Sequence, residues 1–211
     1  MLERLSAAAV VLGLSCALYL IAAVVRHPQK MWIMNLVWPI TALYFGPFAI
    51  WAYYAMGRRM DKPLWQSVAV GGTHCGAGCT LGDIIAEFAL FALVGAAVTG
   101  WARMGITYAA DFTLAYILGI AFQYFAIAPM RGDWGRRSLI AALQADTLSL
   151  TAFEIGLFGW MAIAQMVLFQ PSLQANEWTF WCMMQIGMIL GYFTAFPVNW
   201  WLIATGIKER M

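Results

Sequence analysis

The chain has 211 residues, of which 63% are hydrophobic and only 10% charged, and its formal net charge is +2. A soluble domain normally carries about 25% charged residues, so this deficit points to a polytopic membrane protein with the lipid bilayer as its first partner. So small a positive balance excludes the basic surface that nucleic-acid binding needs, and four cysteines in a chain this long do not make a secreted disulfide scaffold.

The first predicted element covers residues 5–25. It is long enough to span and exceeds a signal-peptide core, so it reads as a retained first helix. Gly13-Leu14-Ser15-Cys16 is a poor lipoprotein site, because Gly13 stands where a large aliphatic residue is wanted. Residues 31–56 form the second helix, bent at Pro39 and Pro47. The stretch 63–100 is too long for one crossing, since a single helix there would measure ~57 Å at ~1.5 Å per residue. Gly71, Gly72, Gly76 and Gly78 weaken helix in its first half. The expectation is a short interfacial or re-entrant helix, a glycine-rich break over 63–79, and then a third spanning helix over 80–99. Backbone broken at membrane depth must be buried in protein or line a cavity, where transporters place their sites.

The fourth helix is predicted over 111–130, with Asp111 as its outer cap. Residues 132–145 form a surface helix with Arg136 and Arg137 near anionic headgroups. The fifth covers 147–169, capped by Asp146, and the sixth covers 179–206, kinked at Pro197. No repeat or linker divides residues 1–211. The expected fold is a single all-α integral membrane domain of six transmembrane helices, with the glycine-broken segment before the third. Nine lysines and arginines fall on the side of both termini and three (Arg26, Lys30, Arg103) on the other. That bias predicts cytoplasmic N- and C-termini. A seventh crossing at 63–79 would mix the charges and is disfavoured.

Ionisable side chains inside apolar spans are costly and mark function. Counted from the predicted helix ends, Glu87, Glu154, Gln123 and Asn199 each lie seven residues inside the cytoplasmic boundary, or ~10 Å. They would make one polar layer in that half of the membrane. Cys75, Cys79, Asp83 and Glu87 follow one another at i, i+4 and share a helix face, with His74 alongside. Thiolate and imidazole suit copper and zinc, while carboxylates suit harder ions or protons. Cys-x-x-x-Cys alone is a weak metal signal, and its glycines also fit close helix packing. Met184 and Met188, again at i, i+4, are secondary thioether candidates beside the plain reading as core filler. Cys16 and Cys182 read as small hydrophobes. There is no phosphate loop, no Gly-x-Ser-x-Gly elbow and no His-Glu-x-x-His pair, and two histidines on opposite sides exclude a bis-histidine haem within the chain.

The runs Met31-Trp32-Ile33-Met34-Asn35-Leu36-Val37-Trp38-Pro39, His74-Cys75-Gly76-Ala77-Gly78-Cys79-Thr80-Leu81-Gly82-Asp83 and Asp146-Thr147-Leu148-Ser149-Leu150-Thr151-Ala152-Phe153-Glu154, with the segment around Tyr192 and Asn199, carry a resemblance. The chain resembles a bacterial membrane family catalogued as domain of unknown function 4396. The resemblance implies a polytopic membrane protein and brings no established activity. Cys182 is not part of the family pattern.

The leading expectation is a membrane metal-handling protein. It would transport or bind Cu(I) or a similar soft transition metal at His74, Cys75, Cys79, Asp83 and Glu87, with Glu154, Gln123, Asn199 and Asp146 along the ion pathway. A thiol oxidoreductase using Cys75 and Cys79 is one alternative. A proton-coupled carrier of a small solute, or a helper subunit of a membrane complex, is another. A homo-oligomer is compatible with each.

Overall fold

The computed structural model describes residues 1–59, 61–93, 100–170 and 172–210, and among them there is no strand. The helices are α1 (Leu2–Arg26), α2 (Met34–Phe45), α3 (Pro47–Ala52, ending in a wider π turn Tyr53–Gly57), α4 (Leu64–Leu93), α5 (Gly100–Arg131), α6 (Arg136–Ile163, extended by a π turn Ala164–Leu168) and α7 (Trp178–Ala204). Five of them, α1, α4, α5, α6 with its extension, and α7, are long and apolar enough to cross a membrane.

The glycine-broken segment expected before the third helix is instead part of α4, which runs unbroken through Gly71, Gly72, Gly76 and Gly78. Helix propensity argues for a break, but packing decides otherwise. Every residue from 66 to 80 is buried, so α4 is the central helix and its glycines let neighbours approach. A Cβ on Gly78 would lie 2.5 Å from Gly119 Cα, and one on Gly82 2.5 Å from Ala115 N, both on α5. This is the small-residue contact by which membrane helices pack without a hydrophobic drive between them. The predicted end of the third helix, Thr99, lies outside the described residues.

The expected second crossing is a hairpin. Gly46, at φ 53° and ψ −128°, reverses the chain between α2 and α3, and Pro47 opens α3 where its missing N–H leaves no orphan donor. Trp38 stacks edge-on against Tyr53 at 5.8 Å, and a Cβ on Gly57 would strike the Trp38 ring. The two arms therefore lie side by side, and both ends return to the last turn of α1. There Tyr53 donates to His27 O at 3.4 Å, and the Tyr19 and Tyr54 hydroxyls meet at 3.0 Å. The tip reaches the middle of the bundle: Gln185 Nε2 of α7 donates to Leu43 O at 2.6 Å, and Phe45 packs on Tyr192 at 5.0 Å. Neither Pro39 nor Pro47 makes the reversal; Gly46 does.

Polar contacts collect several chain segments at one end of the bundle. Arg131 of α5 pairs with Glu209, Arg210 donates to Lys62 O at 3.5 Å, and Trp32 packs on Phe125 at 5.3 Å. Stacking of Phe88 on Trp181 at 5.1 Å marks the opposite half. There the start of α1 lies beside α7, with Val10, Leu14, Trp178 and Trp181 lining one groove. The expected surface helix over 132–145 is no separate element. α5 ends at Gly132 (φ +63°), Gly135 N donates to Asp133 Oδ1 at 2.8 Å, and α6 then runs on without a break. Asp146 and Asp111, read as caps, are thus interior residues of α6 and α5, and both are buried.

Candidate functional site: a buried acid chamber and an inner polar cluster

The four predicted polar-layer residues do not share one depth. Because α4 starts at Leu64 and α6 at Arg136, Glu87 and Glu154 sit far from the end that holds the C-terminus, whereas Gln123 and Asn199 sit near it. Two clusters result.

The first gathers Asp83 and Glu87 from α4, Asp111 from α5 and Glu154 from α6, with Asp83 and Asp111 each within electrostatic range of the other three. Asp83 is fully buried, and the other three are almost so. Both carboxyl oxygens of Asp83 and of Glu154, and Oδ1 of Asp111, have no hydrogen-bond partner among the described residues. A cavity of about 390 Å³ reaches Glu87 and Asp111, and its lining extends to Gly100, Gln170 and Gln174 toward the end away from the C-terminus. Glu87, Arg103, Thr107, Tyr108 and Asp111 line it, with Arg103 within electrostatic range of Glu87. The Tyr108 hydroxyl donates to Phe158 O at 3.0 Å and ties α5 to α6 across the cavity wall. Unpaired carboxyls at this depth are tolerated only where a proton, a cation or water meets them.

Cys75 and Cys79 are buried one turn apart, with Cys79 beside Glu154 and Asp83. Tyr44, from the hairpin tip, aims an unpartnered hydroxyl at Gly76 between the two thiols. His74 Nδ1 lies 3.3 Å from Val70 O. Met188 Sδ receives the Thr80 hydroxyl at 3.5 Å, and Met184 reaches the chamber wall. The structure does not bring His74, Cys75, Cys79, Asp83 and Glu87 to one point. An i, i+4 stripe runs along its helix, and twelve residues separate Cys75 from Glu87, ~18 Å of axis. Among the described residues no three His, Cys, Asp or Glu side chains converge as a metal site. A resident metal ion therefore does not fit this donor set.

The second cluster lies toward the C-terminal end. Lys208, only 1% exposed, donates from Nζ to Asn199 Oδ1 at 2.8 Å and pairs with Asp146 Oδ1 at 3.4 Å. Asn199 Nδ2 donates to Ser149 Oγ at 2.7 Å and to Ala195 O at 3.1 Å. The α4–α5 register, carried one turn on from Gly78 and Gly119, sets His74 opposite Gln123. Lys208 is within electrostatic range of His74.

Asp111, Lys208 and Tyr44 were not legible as site residues. Asp111 looked like a cap and Lys208 like a topology charge, and only Asp111 carried a usable signal, an acid with apolar sequence on both sides.

An all-helical bundle with five helices long and apolar enough to cross a membrane defines a multi-pass membrane protein. Residues 64–208 match the family described as Domain of unknown function (DUF4396), and the chain belongs to that family. The match covers α4–α7 and ends on Lys208. It includes the His74–Asp83 run and excludes the Met31–Pro39 run, so α1 and the hairpin lie outside it. No curated protein and no solved structure matches the chain.

Proposed function

We propose that this protein is a proton-coupled carrier of a small cation across a bacterial inner membrane, with Asp83, Glu87, Asp111 and Glu154 as its binding chamber. The observation that carries the reading is the set of five carboxyl oxygens, of Asp83, Asp111 and Glu154 on three helices, that are buried without a partner among the described residues, with Asp111 and Glu87 lining a cavity beside them. Four acids at short range do not all stay ionised, so they hold protons until a cation displaces them. Crossings by α1, α4, α5, α6 and α7, with α2–α3 as a re-entrant hairpin, accompany this proposal. Ten of the twelve lysines and arginines then fall on the C-terminal side, with Arg4 and Arg103 opposite. That bias is steeper than six crossings give, and it sets the C-terminus in the cytoplasm and the N-terminus outside. The chamber opens outward.

Cys79 beside Glu154 favours a second reading, in which the cargo is a soft cation such as Cu(I) and the thiols line its route. A thiol oxidoreductase gains no support. An unbroken helix holds the Cβ atoms of Cys75 and Cys79 ~5–6 Å apart, beyond the ~3.8 Å of a disulfide.

Reconstituted protein tests the proposal. Uptake of monovalent, divalent and cuprous ions is measured against an imposed proton gradient. Asp83→Asn and Glu154→Gln are expected to lower uptake by about 100-fold or more. Cys75→Ser/Cys79→Ser lowers it only if the cargo is soft. Uptake of a cation at wild-type rate in both acid variants refutes the chamber.

A further inference from the structure

A carrier must release its cargo at the end opposite to where it loads, and the residues that line the cavity beside the acids lie toward the end away from the C-terminus. Toward the C-terminal end, α4, α5 and α6 present His74, Gln123 and Asp146. His74 Nε2, both side-chain amide atoms of Gln123 and Asp146 Oδ2 are buried without a hydrogen-bond partner among the described residues. Buried polar atoms left unpaired mark a place that water or a permeant reaches.

Lys208 is buried against this row on the side of the bundle end. Gly206, at φ +76°, closes α7 in a Schellman turn, with Gly206 N donating to Ile203 O at 3.2 Å and Ile207 N to Leu202 O at 3.0 Å. The turn sends the chain back over the helix ends. A lysine near a membrane surface ordinarily snorkels outward; Lys208 points inward instead and is held by Asn199 and Asp146. Backbone bonds from Ile207 and Lys208 to Leu202 O hold the turn to α7, and its rim carries the partly exposed Arg131–Glu209 pair and the Arg210–Lys62 contact, which are weak as surface contacts are.

We propose, building on the carrier reading, that Lys208 is the inner gate of the path. Its side chain seals the cytoplasmic end and its charge repels a cation descending from the acid chamber. Withdrawal of residues 206–210 breaks the pairs with Asp146 and Asn199 and opens the row of His74, Gln123 and Asp146 to the cytoplasm.

Cys75 and Cys79, buried next to His74, are natural reporters of that opening. Full-length protein is placed in vesicles with the C-terminal face outward, as shown by a protease-accessible C-terminal tag. A membrane-impermeant maleimide is added and labelled peptides are quantified by mass spectrometry. In Lys208→Ala, and in Lys208→Ala/Asp146→Asn, which leaves no buried charge unpaired, Cys75 and Cys79 label about tenfold or more faster than in the wild type. Cys16, packed in α1 outside the path, stays unlabelled. No acceleration in either variant overturns the gate. Acceleration of Cys16 alongside the others means that the bundle has loosened, and this overturns it too. Labelling does not depend on cargo flux, so a vesicle that transports nothing still reports on the gate, and failure of the gate is separable from failure of the carrier.

Discussion

Replacing Gly78 by alanine tests the continuity and packing of α4 directly. The new Cβ would meet Gly119 Cα at 2.5 Å and Gly119 N at 2.6 Å. Carbon contacts are optimal near ~3.5–4.0 Å, so the α4 and α5 backbones must part by about 1 Å. Neither atom belongs to a side chain that can rotate away. Overpacking of this kind costs about 1–3 kcal/mol. Helix propensity returns ~1 kcal/mol for Gly→Ala, so the expected net loss is about 0–2 kcal/mol, which is about 1–3 kcal/mol relative to an unhindered Gly→Ala. Gly159 is the internal control: it is exposed, lies in α6, and has nothing within 4 Å of its Cβ position. Gly159→Ala should be neutral or stabilising by up to ~1 kcal/mol. The assay is equilibrium unfolding in mixed micelles with rising dodecyl sulfate, followed by tryptophan fluorescence. If Gly78→Ala proves as stable as Gly159→Ala, no close approach exists at Gly78, and the argument for an unbroken central helix is wrong.

Two further outcomes follow from the fold. Removing one partner of the Lys208–Asp146 pair leaves an uncompensated buried charge, so Lys208→Met and Asp146→Asn should each cost about 3–5 kcal/mol in that unfolding assay. The double variant should cost less than either single one, and simple additivity would show that the two groups are not paired. The proposed topology of five crossings and a hairpin would put the two ends of the chain on opposite faces, so protease-sensitive tags at the N- and C-terminus should be cleaved from opposite sides of sealed vesicles; cleavage of both from one side restores the six-crossing topology.

The apolar runs of α1, α5 and α7 were visible in the sequence because lipid demands length and hydrophobicity, and those show locally. Helix ends were not. Asp111 and Asp146 have the chemistry of caps, and residues 132–145 have the charge of a surface helix, yet both acids are buried inside longer helices. A local rule assigns an acid to a helix end; what holds it inside is a partner far along the chain, as Lys208 is for Asp146, 62 residues away. Glycine misled for a related reason. At Gly46 it turns the chain, at Gly78 and Gly82 it admits a neighbouring backbone, and residue type alone does not separate these uses. The acids of α4 and α6 were recognised as buried, but placing them at one depth inherited the wrong helix starts. The five-residue soft-metal set was read as a stripe along one helix face, and α4 keeps it as a stripe, with no convergence of three such side chains among the described residues.

The hairpin also constrains the order of assembly. Its tip carbonyl at Leu43 is capped by Gln185, 142 residues later in the chain, and its flank packs on Tyr192. Residues 34–57 leave the ribosome long before either exists, and a bent, partly uncapped pair of short helices has no stable place in bare lipid. With the hairpin re-entrant as proposed above, its tip gains these partners only after α7 has been made, so the native seat of the segment is completed late and a chain ending before α7 would lack it.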